Sequence, residues 1–488
     1  MSSLENYFEK YRKNIIGYDF KHPFENGEIL IVYADWAASG RLYKPIEEYI
    51  SNTLGPYVAN THTETTLTGT IMTQAYRQAH EIIKQHVNAS ADDKLLFCGF
   101  GMTAAINKFQ RILGLRVHEN YRDQLSFNGN DRPLVIITHM EHHSNQTTWV
   151  ECLCDLKIIN RTEEGLPDLD HLRDILQKNK ARKFIIGSFS ACSNVTGILT
   201  PYHQMAEIVH EFGGYCFVDF SASASYVHID MHPEKNEQQL DAVFFSPHKF
   251  LGGPGSSGVI IFNKALYKNT VPDHPGGGTV VWTNPWGEHH FFDDIEIRED
   301  GGTPGFLQAI KASLAVLLKG DMGINNMLDR EGELKNILYD RLSQNPLITI
   351  LEAQQKNRIC FVSFFAKNIH HNLIVRLLSD KFGIQTRGGC SCAGTYGHIL
   401  LKIDYHESHR ITNLIDHGDM SAKPGWVRVS LHPTMTDNEV EYIADSINEI
   451  IDDIHELKKN YRLDTSTGDF VPVKKPSFYI DIRNYIQE

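Results

Sequence analysis

Between residues 94 and 262 the chain repeats one pattern, a short apolar run closed by a polar or glycine-containing break. The runs are KLLFC (94–98), PLVIIT (133–138), KFIIGSF (183–189), YCFVDF (215–220), AVFFS (242–246) and GVIIF (258–262). They are short and do not alternate with polar residues, as expected of strands covered on both faces. Helical spacing fills other stretches. MTQAYRQAHEIIKQHV (72–87) sets Ala75, Ala79, Ile82, Ile83 and Val87 close to one face, and PYHQMAEIVHEF (201–212) starts at Pro201 and stops at Gly213-Gly214. The pattern predicts an α/β fold with a large, mainly parallel sheet covered by helices.

Beyond residue 305 the texture changes. FLQAIKASLAVLLKG (306–320) reads as a helix, RICFVSFFA (358–366) as a strand and NLIVRLLSDKFG (372–383) as a helix. WVRVSL (426–431) reads as another strand, and the segment 436–460 as a closing helix. This predicts a smaller C-terminal α+β domain. The expected division is 1–30 as an N-terminal segment packing on the small domain, 31–305 as the large domain, 306–460 as the small domain, and 461–488 as a polar tail strapped over the surface.

Composition narrows the class. Of 488 residues, 41% are hydrophobic and 22% charged, a globular balance. Sixty acidic against 47 basic residues give a net charge of −13, which argues against a nucleic-acid binder. No apolar stretch reaches the roughly 18 residues of a membrane span, and the polar start MSSLENYFEKYRK lacks a signal-peptide core. The eight cysteines are sparse, and several sit in apolar runs, so a reducing, cytoplasmic setting is expected. Cys152 and Cys154 are expected on one face of a strand, packed in the core.

Chemistry gathers where the strands end. Lys249 and His248 follow Ser246 in SPHKFLGGPGSSG, which is not a P-loop because GK[ST] is absent and a strand follows. Asp219 ends the run 215–220, Asn194 follows 183–189, and His142 follows 133–138. Gly101, Met102 and Thr103 open a helix whose N-terminus suits a phosphate. In open α/β sheets these ends converge on one ligand site.

This set resembles the fold-type I pyridoxal-phosphate enzymes of the class V aminotransferase group, and within it the cysteine desulfurase/selenocysteine lyase branch, over roughly residues 30 to 455. Ser246-Pro247-His248-Lys249 matches the family segment carrying the Schiff-base lysine. Val218-Asp219 matches the carboxylate that pairs with the pyridine nitrogen, and Glu141-His142-His143 the segment whose His142 stacks on the ring. Ser193 to Gly197 matches the segment in which Asn194 reaches the ring hydroxyl. Gly101-Met102-Thr103, with Ser246 and His248, matches the phosphate site. Gly302-Thr303-Pro304 matches a phosphate contact from a neighbouring subunit, so the resemblance implies a homodimer. The early segment Tyr33 to Ser39 matches Tyr-x-Asp-x-Ala-Ala-Ser, and Arg428 the arginine that grips the substrate carboxylate.

RGGCSCAG (387–394) bears on the reaction. Arg387, Gly389, Cys392 and Ala393 are in register with the Arg-x-Gly-His-His-Cys-Ala loop of cysteine desulfurases, whose cysteine takes sulfur as a persulfide. Cys390 and Ser391 replace the two histidines, and the Cys-x-Cys spacing resembles molybdenum-cofactor sulfurases. The resemblance implies pyridoxal 5'-phosphate as cofactor, a small amino-acid substrate held by Arg428, Arg387 and Asn194, catalysis by Lys249, Cys392 and His142, and a sulfur-acceptor protein as partner. The leading expectation is a cysteine desulfurase or selenocysteine lyase. The alternatives are an aminotransferase, epimerase or C–S lyase of the same family without persulfide storage, or a non-enzyme on this fold. Cys390 is a resolving thiol, a second acceptor or a bystander, and a zinc site at Cys390/Cys392 with His398, or with His406 and His409, is the metal alternative to an expected absence of metal. Two departures stand out: Ala222 where the family often has Gln, and a long segment from Thr395 to Gly425.

Overall fold

The computed structural model describes residues 2–24, 27–125, 127, 129–473 and 480–486. The six apolar runs become strands β1 (Asp93–Cys98), β2 (Leu134–Ile137), β4 (Ile185–Ser190), β5 (Tyr215–Asp219), β6 (Ala242–Phe245) and β7 (Gly258–Asn263), with β3 (Asp155–Ile158) added at an edge. They form one 7-stranded sheet in the order β1-β7-β6-β5-β4-β2-β3. The strands from β6 to β3 are parallel, and only β7 runs antiparallel to its neighbours β1 and β6.

Successive residues of these strands feed opposite cores, which is why the runs do not alternate in polarity. Leu134, Val218, Val243, Phe245 and Ile261 pack with Met205, Ala206 and Val316 on one side. Val135, Phe217, Phe244, Ile260 and Phe262 pack with Ile106, Phe109 and Trp149 on the other. The expected fold class therefore stands. One local reading does not: Cys152 and Cys154 lie in the turn before β3, not in a strand. They are still buried, with their thiols donating to Thr148 O and Trp149 O at the end of the preceding helix.

Helix α1 (Ser3–Arg12) packs on the other body of the molecule, where its Phe8 and Tyr11 meet Met327, Leu334 and Leu338. Helices α2 (Leu67–His86), α3 (Met102–Ile112) and α4 (His143–Val150) belong to the large sheet, α3 and α4 starting beyond β1 and β2. Helix α5 (Phe306–Met322) spans the two bodies. Its Ala309 and Ile310 sit beside Met72 and Tyr76 of α2, and Met322 reaches the second core.

The second body carries a four-stranded antiparallel sheet, β8 (Ile348–Ile350), β9 (Phe361–Ala366), β10 (Arg387–Gly389) and β11 (Trp426–Ser430), in the order β8-β9-β11-β10. Helices α6 (His371–Phe382) and α7 (Asp437–Asp452) cover it, the latter opened by a capping box from Thr436 and Glu439. The expected closing helix thus stops at Asp452, before a short turn of helix at Ile454–Leu457. In the tail, Tyr461–Asp464 and Asp469–Pro472 pair as a hairpin, while 474–479 and 487–488 lie outside the described residues.

Candidate active site

A cavity of about 280 Å³ opens at the carboxyl ends of the parallel strands, where such sheets hold their ligands. Lys249, in the turn after β6, and Asp219, the last residue of β5, both line it. Asp219 is buried, and its Oδ1 accepts the Ser221 backbone N–H at 2.8 Å. Burial pushes the Asp219 carboxyl up, against that bond and the Lys249 charge. Burial likewise brings Lys249 down to about 8, with Asp219 opposing and Arg428 assisting. An amine so placed is part neutral near physiological pH, which makes it a usable nucleophile and base.

His142 caps α4, its Nδ1 accepting the Ser144 backbone N–H at 3.1 Å. Burial and the Lys249 charge hold its pKa at about 3, so the ring is neutral and carries its proton on Nε2. It lines the cavity as an uncharged aromatic ring.

The end of the cavity beside α3 is built for an anion. Ser246 Oγ accepts the Met102 N–H at 2.8 Å, and His248 Nδ1 bonds Phe100 O at 2.9 Å. A Cβ at Gly101 would stand 3.0 Å from both Ser246 Oγ and His248 Cε1, so glycine lets the helix end approach this closely. Thr103 Oγ1 bonds Ser144 Oγ at 2.6 Å, and both residues line the cavity. Hydroxyls and a helix N-terminus are the donors a phosphate dianion needs. Nearby, Asn194 donates from Nδ2 to Ser391 O at 2.7 Å, while its buried Oδ1 has no hydrogen-bond partner. That orphaned acceptor suits the hydroxyl of a ring ligand. The chemistry of these residues fits a phosphorylated, hydroxylated pyridine aldehyde, to which Asp219 and Lys249 would offer a carboxylate and an amine.

The opposite wall comes from the second body. Arg387 and Arg428 are direct cross-strand partners on β10 and β11, a like-charge pairing that is costly by itself. Asp35 resolves it. One of its oxygens accepts Arg428 Nη2 at 2.7 Å, and the other accepts Arg387 Nε at 3.0 Å and Nη2 at 2.9 Å. Arg428, buried, also donates to Asn194 O at 2.9 Å. Two cations against one carboxylate leave a net positive charge, the complement of a substrate carboxylate.

Cys392 lines the same cavity and is exposed in its loop. Ser391 and Cys392 both hold left-handed backbone, with φ of 52° and 56°. Such strain persists only where neighbours over-determine it. Here His143 N–H donates to Cys392 O at 2.8 Å, Gly394 N–H donates to His143 Nε2 at 2.9 Å, and Trp426 Nε1 donates to Ser391 Oγ at 3.2 Å.

The cavity therefore gathers Met102, Thr103, His142, Asn194, Asp219, Ser246, His248, Lys249, Arg387, Cys392 and Arg428 from the sequence-derived set. Gly101 lines an adjoining depression, and Thr303 is exposed away from this lining. Ala222 stands in the lining where the family often has Gln. Sequence reasoning missed Asp35 as the bridge between the arginines, Ser144 as the partner of Thr103, and His143 as the clasp of the cysteine loop. Asp35 lies inside the quoted Tyr33 to Ser39 segment, but no local signal ties it to residues more than 350 positions away. Of the zinc candidates, His398 bonds Gly394 O and Ser408 Oγ, and among the described residues no three His, Cys, Asp or Glu side chains are arranged to hold a metal ion.

A "Probable cysteine desulfurase" of Halalkalibacterium halodurans is 28% identical over 371 residues, 74% of this chain and 84% of that protein. A "Cysteine desulfurase" of Haloferax volcanii is 25% identical over 390 residues, 77% of this chain and 84% of the relative. Among solved structures, the apo cysteine desulfurase from Thermococcus onnurineus superposes with a TM-score of 0.70 at 20% identity, over 91% of this chain and 98% of that one. The cysteine desulfurase CsdA from Escherichia coli gives 0.69 at 20% identity, with the same coverage. At that identity the structures speak for the fold. The model of the "Aminotransferase class-V" family matches residues 32–443, taking in the sheet, the cavity and both arginine strands, and this chain belongs to that family, whose members use pyridoxal 5'-phosphate.

Proposed function

We propose that the protein is a cysteine desulfurase, converting L-cysteine to L-alanine and storing the sulfur as a persulfide on Cys392. The observation that carries this reading is the presence of Cys392, on a loop held in left-handed backbone, in the same cavity as Lys249, Asp219 and Arg428. A transaminase or epimerase has no need of a thiol there.

When bound, pyridoxal phosphate supplies a ring that accepts the electron pair left at the substrate Cα. The protein's own groups do the rest. Asp219 would hold the ring nitrogen in its protonated form, and His142, uncharged, would pack on the ring. The α3 N-terminus, Ser246, His248 and Thr103 would hold its phosphate. Arg428 and Arg387, aligned by Asp35, orient the substrate carboxylate, and the unpartnered Oδ1 of Asn194 would take the ring hydroxyl. Lys249 Nζ takes the Cα proton and returns a proton as alanine forms, work suited to an amine titrating at about 8. Cys392 Sγ attacks the substrate sulfur; an S–S bond forms as the Cβ–S bond breaks, and the electron pair passes to the carbon skeleton. Cysteine plus thiol becomes alanine plus persulfide, with no outside oxidant or reductant.

We also propose a homodimer in which Thr303 contributes to the neighbouring subunit's phosphate site. The exposed Phe100, Val281, Trp282 and Trp286 support a second copy covering that side. The eight cysteines are unpaired, which fits a reducing cytoplasm, and no described helix is long and apolar enough to cross a membrane. The test of the activity is incubation of the cofactor-loaded protein with L-cysteine and with L-selenocysteine, measuring alanine together with sulfide or selenide. Alanine formed in step with released sulfur supports the reading; pyruvate with ammonia, or a keto acid, contradicts it.

A further inference from the structure

The cysteine loop has a second side. Behind it lies a separate cavity of about 230 Å³, lined by Cys390 together with Cys392, Arg387, His371, Lys423 and Gly468. Cys392 and Arg387 line both cavities, whereas Cys390 lines only this one. The loop is thus a partition, with one thiol shared between its sides and the other facing away from the substrate.

This second cavity is built, not incidental. Opposite the cysteine loop and the start of α6, its walls include two segments that the catalytic chemistry leaves unused, the 395–425 stretch and the C-terminal hairpin, the latter beyond residues 32–443 matched by the family model. Met420 N–H donates to Thr465 O at 2.7 Å, joining the two walls. Asn372 Nδ2 donates to Gly468 O at 2.9 Å, fixing the hairpin turn to the start of α6. A Cβ on Gly425 would stand 2.6 Å from Gly389 Cα and 2.7 Å from the His371 ring, so the backbone here is packed to the limit glycine allows.

Two cations, Lys423 and Arg387, line the cavity, and among the described residues no carboxylate lines it; the Asp469 carboxylate next to it is engaged by Asn372 Nδ2 at 3.2 Å. Lys423 is exposed, and among the described residues no carboxylate lies within 4.0 Å of its ammonium. Arg387 is bound to Asp35 on the other side of the partition. The space is below the roughly 300 Å³ at which pockets take drug-sized ligands. It therefore matches a small molecule carrying negative charge.

We propose that this cavity is the sulfur exit, in which Cys390 takes the persulfide sulfur from Cys392 and hands it to a small anionic thiol held by Lys423. The proposal rests on the desulfurase reading of Cys392. In the relay, Cys390 thiolate attacks the outer sulfur of the Cys392 persulfide; a new S–S bond forms on Cys390, the old one breaks, and Cys392 leaves as thiolate. In the release, the acceptor thiolate attacks the same outer sulfur, becomes a persulfide, and frees Cys390. Neither exchange has net oxidation or reduction. The arrangement separates substrate entry from sulfur exit, with Arg428 lining only the substrate cavity.

The experiment compares wild type, Cys390→Ser, Cys392→Ser and Lys423→Glu, all loaded with cofactor. The burst of alanine from L-cysteine without added thiol, with the sulfur localised by alkylation and mass spectrometry, reads the first step. Steady turnover with mercaptoacetate or with mercaptoethanol reads the exit. Cys390→Ser is expected to keep the burst and the sulfur on Cys392, yet turn over about tenfold more slowly with either thiol. Lys423→Glu is expected to lose about fivefold with mercaptoacetate and to stay within about twofold with mercaptoethanol, because only the first carries charge. Cys392→Ser is expected to place no sulfur on Cys390. Wild-type steady turnover in Cys390→Ser, or loss of its burst, overturns the relay; equal effects of Lys423→Glu on both thiols, or none, overturn the anionic acceptor. Absence of any burst or persulfide in wild type overturns the desulfurase reading itself, and the exit with it.

Discussion

The two walls of the active-site cavity are made differently. On the sheet side, His142, Asp219, Ser246 and Lys249 each sit at or just past a strand end, and the parallel sheet brings those ends to one edge. On the other side, Asp35, Arg387 and Arg428 meet through a long-range bridge, two antiparallel strands and one shared carboxylate. The first wall depends on topology. The second is a charge balance, in which removing one partner leaves a buried guanidinium without its counter-ion. The sheet wall should therefore fail by losing chemistry, and the arginine wall by losing substrate.

Lys249→Ala is the severest test of the sheet wall. It should abolish turnover and the visible absorption of lysine-bound cofactor while leaving circular dichroism unchanged, since one cavity-lining amine contributes little to the core. Residual turnover with L-cysteine above about one part in a thousand would break the assignment.

Asp35→Asn probes the arginine wall. With a neutral amide between two facing guanidiniums, KM for L-cysteine should rise about tenfold or more with a smaller change in kcat, the pattern of lost ground-state alignment. Equal losses in kcat and KM would show that Asp35 does more than position the arginines.

A finer comparison is electrostatic. Capture of cofactor by the apoprotein needs the neutral amine of Lys249, so its rate should rise with pH and level off above about 8. Asp219 favours the charged amine, so Asp219→Asn should move that inflection to lower pH, measured by stopped-flow absorbance. An inflection unmoved by this change would show that the two residues do not sense each other.

The smallest expected effect is at Trp426→Phe, which removes the Nε1–Ser391 Oγ hydrogen bond and some buried volume. A stability loss of about 2 kcal/mol in denaturant unfolding is expected, with a lower yield of persulfide because the loop loses one of its restraints.

How much of this could be read beforehand follows the same division. The strands and the residues at their ends were legible because burial on both faces leaves unbroken apolar runs, and because Asp219, His248 and Lys249 each sit within a few positions of one. The short edge strand β3, half exposed, carried no such signal. Cys152 and Cys154 misled because burial in a turn and burial in a strand select the same small apolar side chain. Asp35 and His143 were legible as residues and not as partners: their roles exist only once β10, β11 and the cysteine loop are folded against them. The second cavity was not legible at all, since its walls come from four stretches, around 370–372, 387–392, 420–423 and 467–468, with no shared pattern.

The central claim is that sulfur leaves L-cysteine by attack of Cys392, and Cys392→Ala measures it most directly. The variant, loaded with cofactor and given L-cysteine, should still bind substrate and change the cofactor's spectrum, because Lys249, Asp219 and Arg428 remain. It should release no alanine, and the peptide 388–402, which in wild type gains one reductant-labile sulfur, should gain none. Alanine released by Cys392→Ala at the wild-type rate would contradict the account.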